Sequence, residues 1–154
     1  MRILTCIFII CAAFGHLSAK DWRGLTPLHS TRSDVDRLLD TPTNKNNADA
    51  AVYRTETEEV LVRYSTGSCI EKWNVPRDIV LFIQVFPKKR PRLSDLKVNI
   101  SKYKIVRDPE VLDYSDYEDD EDGFGLNVNT LEGLVHIFTY YPTIKEDKLR
   151  CSSP

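Results

Sequence analysis

The chain is poor in the residues that build most catalytic and metal sites. Its 154 residues include three histidines and four cysteines, which are scattered along the sequence. A zinc site needs three or four ligands at characteristic spacings, and a catalytic histidine needs a nucleophile within reach and a group that orients it. No grouping in the sequence meets these requirements. The sequence therefore points to no catalytic residue, metal or cofactor, and enzymatic activity is the less favoured alternative.

A charge excess of either sign is also missing. The chain contains 21 Lys and Arg against 23 Asp and Glu, which gives a formal net charge of −2 at pH 7. Nucleic acids and anionic membrane surfaces attract strongly basic chains. We therefore expect neither of them as a partner.

Long apolar runs are absent except at the N-terminus. Residues 3–14 are almost continuously apolar, with Arg2 before them and Leu-Ser-Ala after them at 17–19. This is the layout of a secretory signal peptide. The run of about a dozen residues is shorter than the roughly 20 that a membrane-spanning helix needs. We predict a signal peptide at 1–19 and an exported protein, periplasmic or extracellular; a membrane anchor or a core helix is the alternative.

Residues 20–154 have the length of one domain and retain two cysteines, Cys69 and Cys151. In an exported protein, two cysteines indicate a disulfide more strongly than two free thiols. The bond would tie the C-terminus to a mid-chain loop. The alternative is Cys69 as a nucleophile served by a histidine. No transmembrane segment is expected after cleavage of the signal peptide, because no later run is long enough.

The clearest helix signal lies at 31–39. Thr31 with Asp34 three residues later forms an arrangement related to the capping box. Apolar residues at 35, 38 and 39 then fall on one helical face. The helix is expected to end before Pro42, because proline cannot continue it.

Alternation and apolar runs predict five or six strands after this helix. The run at 79–86 is apolar on both faces, so we expect it at the centre of a sheet, covered on both sides. The predicted fold is α+β: an antiparallel sheet of about five strands with one short N-terminal helix packed on one face. The predicted strands are 51–55, 59–65, 79–86, 123–129 and 134–141, with 103–106 as a short sixth.

The most unusual segment, 113–122, is strongly acidic and is predicted to be a solvated loop. An EF-hand frame laid on it fails, because its first position is Glu118 and its twelfth is Asn129. Weak cation binding and a contact for a basic partner are the alternatives to a merely solvated loop. The acidic residues of this predicted interaction loop are Asp113, Asp116, Glu118, Asp119, Asp120, Glu121 and Asp122.

Two histidines follow the signal peptide. His29 lies just before the helix, where it could cap the helix or bond to a backbone carbonyl. His136 is expected on the strand face that carries Leu134 and Phe138. No sequence spacing joins either ring to a nucleophile.

Two further segments call for an interpretation. The basic segment 88–92 is expected to be solvated surface, since it lacks the aromatic platform of a single-strand nucleic-acid binder. Tyr140 and Tyr141 precede a proline at the end of the last strand, and we expect them in the core rather than in a surface patch.

Three segments carry a resemblance to known proteins. They are 22–39 (Trp-Arg-Gly-Leu-Thr-Pro-Leu-His-Ser-Thr-Arg-Ser-Asp-Val-Asp-Arg-Leu-Leu), 73–77 (Trp-Asn-Val-Pro-Arg) and 87–89 (Pro-Lys-Lys). Together they resemble a set of uncharacterised secreted bacterial proteins over most of the chain after residue 19. The resemblance implies an exported bacterial protein and no known activity.

A second resemblance concerns architecture. The short helix with Ser-Asp-Val at 33–35 and Leu-Leu at 38–39, followed by an antiparallel sheet, is similar to one half of the β-lactamase-inhibitor-like fold. Outer-membrane assembly lipoproteins of the SmpA/OmlA type share that fold, and they are binding modules. This chain departs from their pattern, because it has no lipid-attachment cysteine and carries Asp40 where glycine usually follows the helix.

These observations favour an exported, non-catalytic binding or envelope-associated domain. Its partner, a protein or an envelope component, would bind to the sheet or to the segment 113–122. The alternative is a small secreted hydrolase with a site assembled from scattered residues around His29 or His136.

Overall fold

The computed structural model of the protein describes residues 19–43, 49–107, 109 and 111–152. The predicted signal peptide lies outside these residues except for Ala19. Within them, three short 3-10 helices occur at Leu93–Asp95, Ile100–Lys102 and Ile144–Leu149. The main elements in chain order are α1 (Arg32–Leu39), β1 (Ala50–Arg54), β2 (Glu58–Tyr64), β3 (Val80–Pro87), β4 (Lys104–Val106), β5 (Tyr114–Asp119), β6 (Phe124–Asn129) and β7 (Leu134–Tyr140).

All the described strands belong to one antiparallel sheet in the order β1-β2-β3-β7-β6-β5-β4. The prediction of about five strands is wrong, because the described part of the chain contributes seven. The single short N-terminal helix is present. The run predicted to be central forms β3, which lies between β2 and β7.

The sequence pattern does not predict β5, which occupies most of the acidic segment that was expected to be a loop. Its pairing with β6 on one side and β4 on the other supplies stabilisation that its composition does not suggest. Neighbouring strands also satisfy or balance part of its charge. The Nδ2 atom of Asn127 donates to Asp116 at 2.8 Å, and the Nζ atom of Lys104 lies 4.0 Å from the carboxylate of Glu118.

Helix α1 begins where the sequence predicts, with Thr31 as its N-cap. The backbone N–H and the hydroxyl of Thr31 donate to the Asp34 carboxylate at 2.9 and 2.7 Å. The backbone N–H of Asp34 donates in return to the Thr31 hydroxyl at 3.2 Å. These bonds, with the nearby Arg37, hold the pKa of Asp34 below its usual value. The predicted capping arrangement is confirmed.

The two faces of the sheet differ in how they are covered. One register row across all seven strands carries mostly apolar side chains toward the covered face: Tyr53, Val60, Val85, Phe138, Leu126, Tyr117 and Ile105. The adjacent row points to the opposite face and is mixed: Val52, Leu61, Gln84, Thr139, Gly125, Glu118 and Lys104. This alternation is typical of an antiparallel sheet with one covered side.

Two different segments build the covered side. Helix α1 packs its buried Val35 on β1, β2 and β3, next to Trp22 and Leu25 from the chain that precedes the helix. The irregular chain between β3 and β4 packs Leu93, Leu96 and other apolar side chains over β6 and β7. The hydroxyl of Tyr53 donates to Asp36 at 2.7 Å and lies 3.0 Å from that of Tyr64, which anchors α1 to the sheet.

Among the described residues, the main cover of the opposite face lies where β3 begins. There Leu28, Val75 and Leu81 form a small third core. Cover on both sides of β3 is therefore limited to one end of the strand, and the rest of this face is open. Among the described residues, no helix combines the length and apolar character that crossing a bilayer requires.

Candidate functional site on the open face of the sheet

A disulfide-closed cap covers one end of the open face. Cys69 and Cys151 are bonded, with their Cα atoms 5.5 Å apart, so the predicted disulfide is confirmed. Backbone hydrogen bonds run beside it: Cys151 donates to Lys72 at 2.9 Å, and Asn74 donates to Leu149 at 2.7 Å. We call the two joined segments, 65–79 and 143–152, the cap. The cap fixes the C-terminal chain over the start of β3.

A cleft of about 340 Å³ opens where the cap ends. This volume lies at the lower end of the range of small-ligand pockets. Its lining combines apolar and aromatic side chains with three charged ones. The residues used below are Trp73, Phe82, Tyr141, Glu71, Asp49 and Arg63.

Glu71 is the most tightly held carboxylate of the cleft. It accepts the backbone N–H of Thr66 at 3.2 and 3.3 Å and also the Thr66 hydroxyl. Burial alone would raise the pKa of Glu71, but these bonds outweigh it and hold that pKa below its usual value. The cleft therefore contains a carboxylate that is ionised at neutral pH.

Tyr141 separates the cleft from the rest of the open face. Its hydroxyl donates to the backbone carbonyl of Phe124 at 3.2 Å, and its ring rests over Gly125, where an added Cβ would lie 3.4 Å from the ring. Burial, with nearby Asp120 as a smaller cause, raises the pKa of Tyr141. The phenol is therefore neutral at physiological pH. Of the two tyrosines predicted to be buried together, Tyr140 packs in the core while Tyr141 lines this surface.

Beyond Tyr141 a shallow trough of about 250 Å³ crosses the middle of the sheet. Its floor is Gly125, flanked by Gln84 and Thr139, and its far wall is formed by Asp116 and Glu118 of β5. The absence of a side chain at Gly125 is what lets the floor sink between its neighbours. The cleft and the trough both contact Tyr141, so they form one continuous surface.

The predicted interaction residues do not form one cluster. Asp116 and Glu118 lie on the open face, whereas Asp119 is buried and accepts the backbone N–H groups of Glu121 and Asp122 at 3.2 and 3.1 Å. The other four residues of the predicted interaction loop lie outside β5 and are exposed. One precedes the strand and three lie in the turn after it: Asp113, Asp120, Glu121 and Asp122. Within the described ranges, no group of three or more His, Cys, Asp or Glu is arranged to hold a metal ion.

His29 contacts the cap. Its Nε2 atom lies 2.7 Å from Oε1 of Glu146. The other oxygen of that buried carboxylate accepts the backbone N–H of Thr143 at 2.8 Å. His29 therefore bonds to a carboxylate, and the predicted cap or carbonyl contact is wrong. In the described part of the chain, no hydroxyl or thiol hydrogen-bonds to this ring.

His136 lies at the other end of β7. The register of the β6–β7 pairing shifts at His136, since Asn127 pairs with Ile137 but Val128 pairs with Val135. Because of this irregularity His136 does not share the face of Phe138, in contrast to the prediction. Its ring stands edge-on to Tyr114 with centroids 5.0 Å apart. Its Nε2 atom is buried and has no hydrogen-bond partner among the described residues. Burial first, and Arg90 second, lower the pKa of His136, so the ring is neutral in the fold.

The basic segment 88–92 lies at the end of the sheet opposite the β5–β6 turn. The Nζ atom of Lys88 donates to the carbonyl of Thr55 at 2.7 Å, and Arg92 donates to the carbonyl of Glu132 at 3.2 Å. These contacts connect the segment to neighbouring turns, and its exposed side chains lie far from the cleft.

Comparisons with protein-family models, with curated proteins and with solved structures find no match for this chain.

Proposed function

We propose that this chain is an exported, non-catalytic binding domain and that a protein partner binds the trough on the open face of its sheet. The single observation that carries the proposal is the one-sided cover of the sheet. One face is buried along β1, β2, β3, β7 and β6, while the other keeps partly exposed apolar, amide and charged side chains in one continuous surface. Protein interfaces combine such residue types.

Export is supported by the disulfide and by the sequence of residues 1–19. Disulfides persist in oxidising compartments and are rare in the cytosol of most organisms. The bond between Cys69 and Cys151 shapes the cap, so an oxidising environment and the form of the open face are linked. The resemblance of 22–39 to secreted bacterial proteins agrees with this proposal.

The charge of the trough selects a partner with a basic contact. Asp116 and Glu118 occupy neighbouring outward positions on β5, where Asp116 accepts from Asn127 and Glu118 lies 4.0 Å from Lys104. A lysine or arginine on the partner would meet both carboxylates across the exposed edge of the trough. Electrostatic complementarity of this kind favours fast association and discriminates among partners.

The hydrolase hypothesis is less well supported. The pairing of His29 with Glu146 supplies a ring and an orienting carboxylate, but a nucleophile must also lie within hydrogen-bond reach. Hydroxyls and thiols of the described ranges do not bond to His29 or to Nε2 of His136. Neither ring is part of the lining of the cleft or of the trough.

Affinity capture with two matched variants tests the proposal. The first variant, Asp116→Asn with Glu118→Gln, neutralises the trough, and the second, Glu121→Gln with Asp122→Asn, neutralises exposed carboxylates of the turn. We expect the unaltered protein and the turn variant to retrieve the same partner from an extract of the producing organism, and the trough variant to lose it. Equal recovery by all three proteins would exclude the trough as the binding surface.

A further inference from the structure

The cleft at the edge of the cap has a chemistry different from that of the trough. Four aromatic residues line it: Tyr64, Trp73, Phe82 and Tyr141. Glu71 and Asp49 contribute carboxylates, and Arg63 contributes a guanidinium. Aromatic walls beside ionised carboxylates are the combination that binds organic cations, because both the ring faces and the carboxylates attract positive charge.

The charges of the cleft do not cancel. Arg63 lies 3.6 Å from Asp49, so these two groups balance one another. The hydrogen bonds of Glu71 come from neutral donors, chiefly the hydroxyl and backbone N–H of Thr66. Among the described residues, no lysine, arginine or histidine forms an ion pair with Glu71. One negative charge is therefore left without a cation at the wall of an aromatic cleft.

The cap already shows the same kind of contact once. The guanidinium of Arg150 lies 4.7 Å from the centre of the Trp73 ring. That guanidinium is balanced by Asp147, whose carboxylate accepts from Nε of Arg150 at 2.6 Å. Arg150 therefore adds little net charge to the neighbourhood of the cleft, and the negative excess at Glu71 remains.

We propose that the cleft is a binding site for a small organic cation, an ammonium, amidinium or guanidinium group carried on an apolar body. The cation would pair with Glu71, and the apolar body would pack against Phe82 and Tyr141. This site adjoins the protein-binding trough and shares Tyr141 with it, but it does not depend on the partner proposed there. The guanidinium of Arg63, which lies 3.6 Å from Asp49 and 5.8 Å from the centre of the Phe82 ring, would remain on one side of that ring.

Three probes of nearly equal shape separate charge from ring packing: benzamidine, a cation; benzamide, which is neutral; and benzoate, an anion. Binding to the disulfide-bonded protein is followed by calorimetry and by the fluorescence of Trp73, with Trp22 as the constant background. We expect benzamidine to bind about tenfold more tightly than benzamide, and benzoate to bind more weakly still. Equal affinities for the three, tightest binding of benzoate, or no binding of benzamidine would each overturn the proposal.

Two variants locate the site. Glu71→Gln should remove the preference for benzamidine over benzamide, whereas Glu132→Gln, in an exposed turn at the other end of the sheet, should retain it. Retention of the preference in Glu71→Gln would overturn the assignment. If Glu71→Gln does not fold, the salt dependence of binding to the unaltered protein replaces this test. Raising the salt concentration from about 50 mM to about 500 mM should weaken the binding of benzamidine and leave that of benzamide unchanged, since ions screen exposed charges. Salt-independent binding of benzamidine would count against the site.

Discussion

Cys69 and Cys151 are bonded although 82 residues separate them, and this bond closes the cap over Leu81 at the start of β3. The backbone of Cys151 also donates to Lys72, so the covalent bond and the hydrogen bonds fix the same two segments. The cleft lies directly beside this junction. Its shape therefore depends on the oxidation state of two sulfur atoms that are not part of its lining.

Replacing both cysteines by serine should destabilise the protein by about 2–5 kcal/mol, because the bond restricts the unfolded chain. It should also abolish the binding of benzamidine at the cleft. Urea unfolding of the variant and of the oxidised protein measures the first effect. As a control, both sulfurs of the unaltered protein should resist alkylation until a reductant is added. Alkylation of both without reduction would contradict the structure.

Gly123 and Gly133 have nearly the same left-handed backbone conformation, with φ angles of 64° and 65°. A Cβ at Gly123 would lie 2.2 Å from the carbonyl oxygen of Tyr141, whereas nothing lies within 4 Å of one at Gly133. We expect Gly133→Ala to cost about 1 kcal/mol, the penalty of the backbone angle alone. Gly123→Ala should cost about 3 kcal/mol or more, since the chain must also shift. Equal losses in urea unfolding would show that the β5–β6 turn is looser than described.

Local signals predicted the helix and most of the sheet. Thr31 and Asp34 identify the start of α1 because their capping bonds form within four residues of chain. The alternation of side chains along β2 is also a local signal, and it identifies the buried face of that strand. β5 gave no such signal, since its acidic side chains lower its strand propensity and only pairing with β4 and β6 stabilises it. Prediction from local sequence therefore failed where a strand is stabilised by residues distant in the chain.

The disulfide could be predicted because the sequence after the predicted signal peptide contains two cysteines, which have few alternatives if the chain is exported. The cleft could not. Glu71, Phe82 and Tyr141 come from three separate parts of the chain and share no spacing that sequence analysis can detect. The adjacent pair of tyrosines before Pro142 was the one available hint. Strand alternation separates such a pair onto opposite faces of the sheet, so both cannot be in the core.

The buried hydroxyls of Tyr53 and Tyr64 should contribute unequally to stability. Tyr53 donates to Asp36, so the hydroxyl of Tyr64 must donate to Tyr53. Tyr53→Phe leaves Tyr64 without a partner in the core and should cost about 1–3 kcal/mol, while Tyr64→Phe keeps the bond to Asp36 and should cost about 0.5–1.5 kcal/mol. Burial raises the pKa of Tyr64 to about 12 and also raises the pKa of Tyr53, so both phenols are neutral in the assay.

Tyr103→Phe is the control for this comparison, because the Tyr103 hydroxyl makes no hydrogen bond within the described part of the chain. Its replacement should change the free energy of unfolding by less than either core variant. A larger loss for Tyr64→Phe than for Tyr53→Phe would reverse the inferred direction of the hydrogen bonds.

His136 should make the stability of the fold depend on pH. Burial and Arg90 lower the pKa of this histidine in the fold, against the smaller opposing effect of Glu132. In the unfolded chain its pKa returns to about 6.5. The unfolded state therefore binds more protons between the two pKa values, and stability falls as the pH drops below about 6.5. Above that value the histidine is neutral in both states and this contribution is fully present.

His136→Phe keeps an aromatic ring against Tyr114 and removes the titration, so its stability should decline less than that of the unaltered protein between about pH 7 and pH 5. Arg90→Gln removes the positive charge that helps to keep the ring neutral and should give an intermediate decline. Urea unfolding at several pH values compares the three proteins at equal salt. Parallel curves for all three would contradict the lowered pKa of His136 in the fold.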